Sequence, residues 1–567
     1  MERFSKATET ERRNYLLKRY NALQSERAPY LKQWFEIVKY IAPYAGSFHE
    51  GDNSALRDQR YINDNKTARC IDTLVAGLGS YATPKTLPWF RLTGDKEESR
   101  YDHNSQLWLG QVQSIIQDVF FKSNTYDSLH SLYRDLAIFG TAASVIVEDP
   151  RKVIHHHVLP VGSFCIANDN AGQVSTLYRE FTLTAAQAVR EFGYDKLSTF
   201  LKTAYDNGNL DTKFHFLHAI EPREDRDYNS KNNLDMPWAS YYVEMGSEKQ
   251  GILSESGYPY FPCIVPRWEV QGNEPYGISP ALLALPDVKE LMHITLNKAK
   301  MVDLMTEPPL QAPLNSRQAP ISLYAGSVNY VASTGNDQSI KPILQQTGSY
   351  EAVSNEIDKL HQRIEQTFFQ DIFFMLQQFA TTRKTATEVT GLREEKMAVL
   401  GPVVERLQRE CQEPLITIPY TILRRAGVIP DPPALLSSTL GGHDFEIKFE
   451  GLLAQSQRAM AIAPTTEFIA SLQSLSASLP DAIHRIDTDG VVDVLADLYG
   501  INRHVLRDKQ AADRIREQIA QQQQQQQELA AGESISTSLN SLAQAQKAGA
   551  DASLATSQMD GSSLLGL

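Results

Sequence analysis

The sequence predicts a mainly helical α+β protein, and two observations carry that prediction. Residues 30–41 and most of residues 279–411 repeat apolar side chains every three or four positions, the period of an amphipathic helix. Between Ala142 and Trp268, short β-branched and aromatic runs are separated by turn clusters such as Asn168-Asp169-Asn170-Ala171-Gly172, the pattern of strands.

In the first segment Tyr30, Leu31, Trp34, Ile37, Val38 and Ile41 recur at helical spacing, and Pro43 ends the pattern. Arg12, Arg13, Lys18 and Arg19 lie upstream and read as a solvated helix face. Further helices are expected from Asn65 to about Tyr81 and from about Asn104 to Lys122. Strands are expected at 144–148, 155–159, 164–167 and 174–181, and again at 214–220, 239–244 and 261–268. Between these groups Thr184 and Gln187 fit a capping box that opens a short helix, with Gly193 as its C′ residue. Residues 1–278 therefore read as one mixed α+β body.

Ser279-Pro280 reads as an N-cap followed by proline at the first helical position. Pro286 is expected to interrupt or restart this helix. Its stripe is Val288, Leu291, Met292, Thr295, Ala299 and Val302, and Pro308-Pro309 stops it. The segment 310–349 is rich in Pro, Gly, Ser and Asn, with β-like pieces such as 327–332. A second long helix carries Val353, Ile357, Leu360, Ile364, Phe368, Ile372, Met375 and Phe379. Some 25 helical residues span about 40 Å, so two long helices flank a compact tip, a stalk with a head.

Thr381-Thr382-Arg383-Lys384 is a short basic loop after the second helix. Thr385 and Glu388 fit a capping box for a third helix with the stripe Val389, Leu392, Val399, Val403, Leu407 and Cys411. A kink is expected at Gly401-Pro402, and the helix continues raggedly past Pro414 and Pro419 towards Gly427. Phe445, Ile447 and Phe449 alternate as one strand. Residues 452–500 read as helices broken at Pro464 and Pro480. Asn502 opens a last helix running through Arg516 into the glutamine run 521–527. From Gly532 the Ser-, Ala-, Gly- and Gln-rich end cannot bury enough apolar surface to offset its ordering entropy, and is expected to be disordered.

Composition narrows the function classes. The 567 residues are 42% hydrophobic and 22% charged, ordinary for several folded cores. The net charge of −13 argues against a tight, general DNA binder, which usually carries a basic excess. No apolar run approaches the roughly 20 residues of a membrane span, and the charged stretch from Met1 to Arg19 argues against a secretory signal. Cys70, Cys165, Cys263 and Cys411 lie far apart with no CxxC pair, so no zinc or redox centre and a reduced, cytoplasmic setting are expected.

Motifs that suggest chemistry fail on inspection. Gly77-Leu78-Gly79-Ser80-Tyr81-Ala82 matches GxGxxA, but the residues before it look helical and Pro84 follows, so a helix end or tight packing is expected rather than a nucleotide site. No GxxxxGK[ST], GxSxG or HExxH occurs. Of His155-His156-His157 on a strand, only His155 and His157 can converge, and two ligands do not close a zinc site. Asp487-Thr488-Asp489-Gly490 resembles part of a calcium loop, but Ala496 stands where the glutamate is needed, and a helix N-cap is expected. No catalytic residue, cofactor or metal is expected.

Several dispersed segments together resemble the head-to-tail connector, or portal, family of short-tailed bacteriophages. They are Phe139-Gly140-Thr141-Ala142-Ala143, Tyr178-Arg179-Glu180-Phe181 leading into Thr184-Ala185-Ala186-Gln187 and Glu191-Phe192-Gly193, then Pro266-Arg267-Trp268, Tyr276-Gly277, Leu285-Pro286-Asp287, Leu400-Gly401-Pro402-Val403 and Glu405-Arg406-Leu407. The resemblance covers about residues 10–500. It implies a ring, usually of twelve copies, at one capsid vertex. Residues 1–278 would be the wing, 279–306 and 351–380 the stem, 307–350 the clip, and 381–384 a tunnel loop facing DNA. Residues 385–450 would be the kinked wing helix and following strand, 451–500 the crown, 501–531 a glutamine-rich helix able to form a barrel, and 532–567 the tail. The implied partners are double-stranded DNA held weakly, the terminase large subunit, tail adaptor and tail proteins, major capsid and scaffolding proteins and internal core proteins. The implied place is the virion, after assembly in the host cytoplasm, and a membrane is not implied.

On that reading Thr381, Thr382, Arg383 and Lys384 face the duplex, with Arg383 and Lys384 giving a weak, sequence-independent contact. Glu351, Glu356, Asp358 and Glu365 are candidates for an acidic channel wall, and twelve copies of a −13 chain total about −156, which repels phosphates from that wall. Without a P-loop the chain is not itself an engine, which disfavours a nucleotide-dependent packaging subunit. A tail adaptor or internal core protein is the alternative reading.

Overall fold

The computed structural model describes residues 8–47, 59–94, 102–227, 230, 232–246, 251–313, 322, 324–331, 341–342, 349–379, 399–436, 445–450, 471, 490–492, 512–524 and 539–547. The chain divides into two compact units, Met1–Met460 and Ala461–Leu567.

In the first unit α1, Glu9–Tyr40, opens with a complete capping box between Thr8 and Glu11. It begins some twenty residues before the apolar repeat that predicted it, and its upstream charge is not simply solvated. Arg13 is 5% exposed, and Arg12 Nη1 lies 3.0 Å from Glu255. Only Lys18 and Arg19 of the four stand in water. Helix α2, Lys66–Tyr81, and α3, His103–Lys122, fall where their periodicity placed them. Between them β1, Phe90–Gly94, was not legible, because its antiparallel partner β13, Phe445–Phe449, is far along the chain. Helix α4, Thr125–Phe139, follows α3 almost at once and was also missed.

Three antiparallel strands form one sheet in the order β3-β2-β9, from Ala143–Asp149 (β2), Val153–Leu159 (β3) and Cys263–Ile264 (β9). A five-stranded antiparallel meander comprises β4, Phe164–Asn168; β5, Val174–Thr184; β6, Lys213–Pro222; β7, Trp238–Glu244; and β8, Ser254–Tyr258. The strand expected across 261–268 is a regular strand only at Cys263–Ile264, because Pro262 and Pro266 lack N–H donors, although their carbonyls still accept from Ile146 N and Ala142 N and Arg267 bridges to Thr141. Helix α5, Ala185–Phe192, has the expected capping box and ends at Gly193 with φ +83°, and a short α6, Thr199–Asp206, follows.

Helix α7, Pro280–Thr306, is capped by Ser279 Oγ, which accepts from Leu282 N at 2.9 Å. Pro286 does not break it. That proline is exposed and lies in the second turn of the helix, where its missing N–H costs one intrahelical hydrogen bond without ending the helix. A small sheet follows in the order β11-β10-β12, from Leu310–Pro313 (β10), Val328–Val331 (β11) and Lys341–Pro342 (β12), with β10 and β11 parallel.

The second long helix is two helices, α8, Tyr350–Thr367, and α9, Gln370–Phe379. The break falls at Phe369, whose φ of +56° lies in the left-handed region that a bulky residue avoids. Periodicity alone could not reveal it, since the apolar repeat runs through the break. Residues 399–407 are helical, pass into a π-helical turn at Gln408–Gln412, and continue as α10, Glu413–Arg425. Pro402 thus lies near the start of the described helix, and the irregularity falls at 408–412, just before Pro414.

One large core joins these elements around Trp34, Trp89, Tyr133, Tyr276, Leu291 and Ile364. In the second unit, residues 512–524 are helical and reach into the glutamine run, as expected. Residues 539–547 are also helical, inside the segment expected to be disordered. Their Leu539 and Leu542 are 61% and 63% exposed, so this helix is formed without burial. The capping box at Thr385 and Glu388, almost all of 452–500, Asn502 and Asp487-Thr488-Asp489 lie outside the described residues.

Candidate DNA-channel elements and the motif node

Helices α7 and α8 pack antiparallel. Lys298 Nζ stands 4.8 Å from the centre of the Tyr350 ring, while eleven residues back along α7 Asp287 pairs with Arg363, thirteen residues on along α8, at 3.1 Å. Val288, Leu291 and Met292 face the common core with Ile357, Leu360 and Ile364. The α7 stripe does not stay buried to its end. Ala299 and Val302 are exposed, and Leu296, Val302 and Met305 show 41%, 38% and 56% of their surface. The core ends before the helix does.

The four acidic candidates lie on α8 but do not all share one of its faces. Glu351, Asp358 and Glu365 are spaced seven apart and share a face of α8, whereas Glu356 lies on another flank. Glu351 and Asp358 are exposed. Glu356 is 3.1 Å from Lys359 Nζ and 4.0 Å from Arg363 Nη2, and Glu365 pairs with Lys66 of α2. Two of the four charges are therefore matched by neighbouring cations, and Lys66 comes from a helix no spacing argument could place there. The loop Thr381, Thr382, Arg383 and Lys384 lies outside the described residues.

Segments distant in sequence meet at a second place. Arg267 is 3% exposed and spends its whole guanidinium. Nε and Nη2 donate to Glu410 at 3.2 and 2.6 Å, Nη1 to Asn168 Oδ1 and the Glu274 carbonyl, and Nη2 also to the Gly172 carbonyl at 2.8 Å. Glu410 belongs to the π-helical turn. Beside this pair, Gly140 (φ +75°) lies against Gly277, leaving 2.5 Å between a Cβ placed there and the Gly277 carbonyl. Gly277 N donates to Thr141 Oγ1 at 2.8 Å, Trp268 N to the Gly140 carbonyl at 2.9 Å, and Arg406 Nη1 to the Trp268 carbonyl at 3.3 Å. Four of the segments that carried the family resemblance thus form one hydrogen-bonded node. The sequence marked the segments but not their convergence.

Two of the motifs set aside in the sequence, the glycine pair of α2 and the histidine run of β3, fall among the described residues. Gly77 lies inside α2, and the Phe373 ring fills the space a side chain would need. His156 is buried, shares a 3.0 Å hydrogen bond with Thr125 Oγ1, and leaves Nδ1 without a partner. Burial, with help from His155 and His157, pushes its imidazole down to about 4. All four cysteines are buried free thiols, and burial pushes Cys70 and Cys165 up to about 11 and Cys411 to about 12, so these thiols stay protonated at neutral pH. Among the described residues no group of three or more His, Cys, Asp or Glu side chains could hold a metal ion, and no helix is long and apolar enough to cross a membrane.

The described residues thus present a long antiparallel helix pair, a small three-stranded sheet that lies between the two helices in the chain, and a node uniting dispersed segments. The model of the bacteriophage head to tail connecting protein family matches residues 13–506, and the chain belongs to that family. It is 37% identical over 517 residues to a probable portal protein of Bordetella phage BPP-1, covering 91% of this chain and 92% of that protein. It is 32% identical over 542 residues to the portal protein of Salmonella phage epsilon15, covering 95% and 96%. A solved structure described as the neck of an empty gene transfer agent particle, computed with C6 symmetry, aligns with a TM-score of 0.35 at 11% identity over 75% of this chain and 93% of that one. The function of the chain is that of a phage portal, a component of the virion.

Proposed function

We propose that copies of this chain, twelve by the habit of the family, close into a ring around an axial channel at one capsid vertex, through which the genome enters and leaves. The observation that carries this reading is the uncovered apolar surface of the helix pair. Val302 and Met305, three residues apart near the end of α7, and Leu296, on the opposite side of that helix, leave exposed apolar side chains on two sides that neighbouring copies would cover. Head-to-tail contacts of that kind generate rings when the rotation closes.

In that ring α7 with α8 and α9 are the stem, the three-stranded sheet between them is the clip, residues 1–278 with 385–450 are the wing, and residues 451–500 are the crown. The glutamine-rich helix 512–524 follows the crown segment in the chain. Arg383 and Lys384 contact DNA weakly at the constriction, and Glu351 and Asp358 are the bare acidic groups of the wall. The clip receives the terminase large subunit first and tail adaptor and tail proteins later, while the wing meets capsid, scaffolding and internal core proteins. ATP hydrolysis belongs to the terminase, and assembly takes place in the host cytoplasm.

Negative-stain imaging of the purified full chain tests the reading. Rings with an axial hole are expected. A monomer at every concentration, with and without its virion partners, overturns it, and a solid assembly without a hole favours an internal core protein instead.

A further inference from the structure

We propose that His155 and His157 form a two-imidazole chelate for a late first-row divalent cation, Zn²⁺, Cu²⁺ or Ni²⁺, on the edge strand β3. Three features of the strand lead there. First, β3 is the edge strand of its sheet, paired only with β2, and Asn124 fixes it from the outer side by accepting from His156 N and donating to the His156 carbonyl, both at 2.9 Å. Second, its alternation sends His156 into the body to Thr125 and His155 and His157 together to the opposite face, where His157 is exposed. Third, the two rings are already close, with centroids 4.7 Å apart and planes at 75°.

That separation suits one shared ion. A metal about 2.1 Å from an imidazole nitrogen lies about 3.2 Å from the ring centre, so two rings on one ion at square to tetrahedral angles stand roughly 4.5–5.2 Å apart. Imidazole is a ligand these metals take readily. Binding needs neutral rings. Around the pair the field is mixed. Asp149, paired in register with Val153, is diagonal to His155 on the same face. Its carboxylate is held low by N–H bonds from Arg151 and Lys152, so it is charged and attracts a cation. Arg179 and Lys152 oppose it. The described residues supply no three-ligand group, so solvent completes the coordination and the site is an open one.

The test is calorimetric titration of the chelator-treated full-length protein with Zn²⁺, paired with Cu²⁺ electron paramagnetic resonance. One saturable site per chain is expected. His155→Gln and His157→Gln should each weaken it on the order of tenfold or more and remove the two-nitrogen coupling from the copper spectrum. His130→Gln, at an exposed position on α4, should change neither. His155→Asn and His157→Asn are measured in parallel, so that the result does not hang on one substitution that disturbs folding. The proposal is overturned if the His155 and His157 variants titrate like the parent, or if His130→Gln loses the site equally.

Discussion

The Arg267 guanidinium and the Glu410 carboxylate meet through two contacts, at 2.6 and 3.2 Å, with 2% and 9% of their side chains exposed. The pair links the loop after β9 to the π-helical turn 143 residues later. Charges this deep are costly to desolvate, and the arrangement holds because every guanidinium N–H has an acceptor. Arg267→Ala leaves the Glu410 carboxylate buried without its partner and should destabilise the chain by about 3–5 kcal/mol. Arg267→Lys, unable to reproduce the two-pronged contact, should recover only part of that loss. Chemical denaturation of the three proteins decides it, and equal stability of Arg267→Ala and the parent would remove the node from any account of the fold.

Gly77 and Phe373 make a more local prediction. Phe373 also stacks on Tyr81, 6.0 Å between ring centres, so it cannot swing aside freely. Gly77→Ala should therefore destabilise by about 1–3 kcal/mol, despite alanine's better helix propensity. Adding Phe373→Leu should make the pair less than additive, because the clash is then gone. Additive effects in that double-mutant cycle would show that the two residues do not press on each other.

The pH dependence of stability follows from His156. Its folded value of about 4 lies below the ordinary 6.5, so the unfolded chain takes up the proton first as pH falls. Stability from this group is complete above about pH 6.5 and is lost as pH drops towards 4, by on the order of 3 kcal/mol. His218, also held low by burial, adds a slope of the same sign, and Asp135, pushed up to about 7 by burial, adds one of the opposite sign. Both remain in His156→Gln. Subtracting that variant's stability curve from the parent's should isolate the His156 contribution, and a flat difference between pH 4 and 6.5 would refute it.

For the proposed channel, Arg383→Ala combined with Lys384→Ala should leave ring formation intact and impair DNA packaging or retention. Unchanged yield and length of packaged DNA would mean that the loop does not grip the duplex. Deleting the residues after Gly532 should likewise leave the ring intact, since the helix 539–547 buries neither Leu539 nor Leu542. Loss of assembly would show that this helix is covered by another part of the complex.

What could be read from the sequence was local. The period of Val288, Leu291 and Met292 gave α7, and the Thr184–Gln187 box gave the start of α5, because both depend on neighbours within one helical turn. What could not be read was set by distant residues. Strand β1 exists because Phe90 pairs with Phe449, Glu365 is matched by Lys66, and Arg267 finds Glu410. The same limit explains α7's exposed end and the break after α8. An apolar repeat says that a face wants covering but not whether this chain covers it, and only the backbone at Phe369 marks the interruption.

That interruption has a mechanical consequence. An unbroken rod from Tyr350 to Phe379 would behave as a single lever, so that a push at one end slides the other. With a knee at Phe369, the same push is expected to swing one arm about a fixed point, while Gln370, bound to Cys70 Sγ at 3.2 Å, and Phe373, seated on Gly77, pin the shorter arm to the body. The longer arm is held as well, by Glu365 on Lys66 and by Leu360 and Ile364 in the core, so the two arms are anchored separately on either side of one hinge residue.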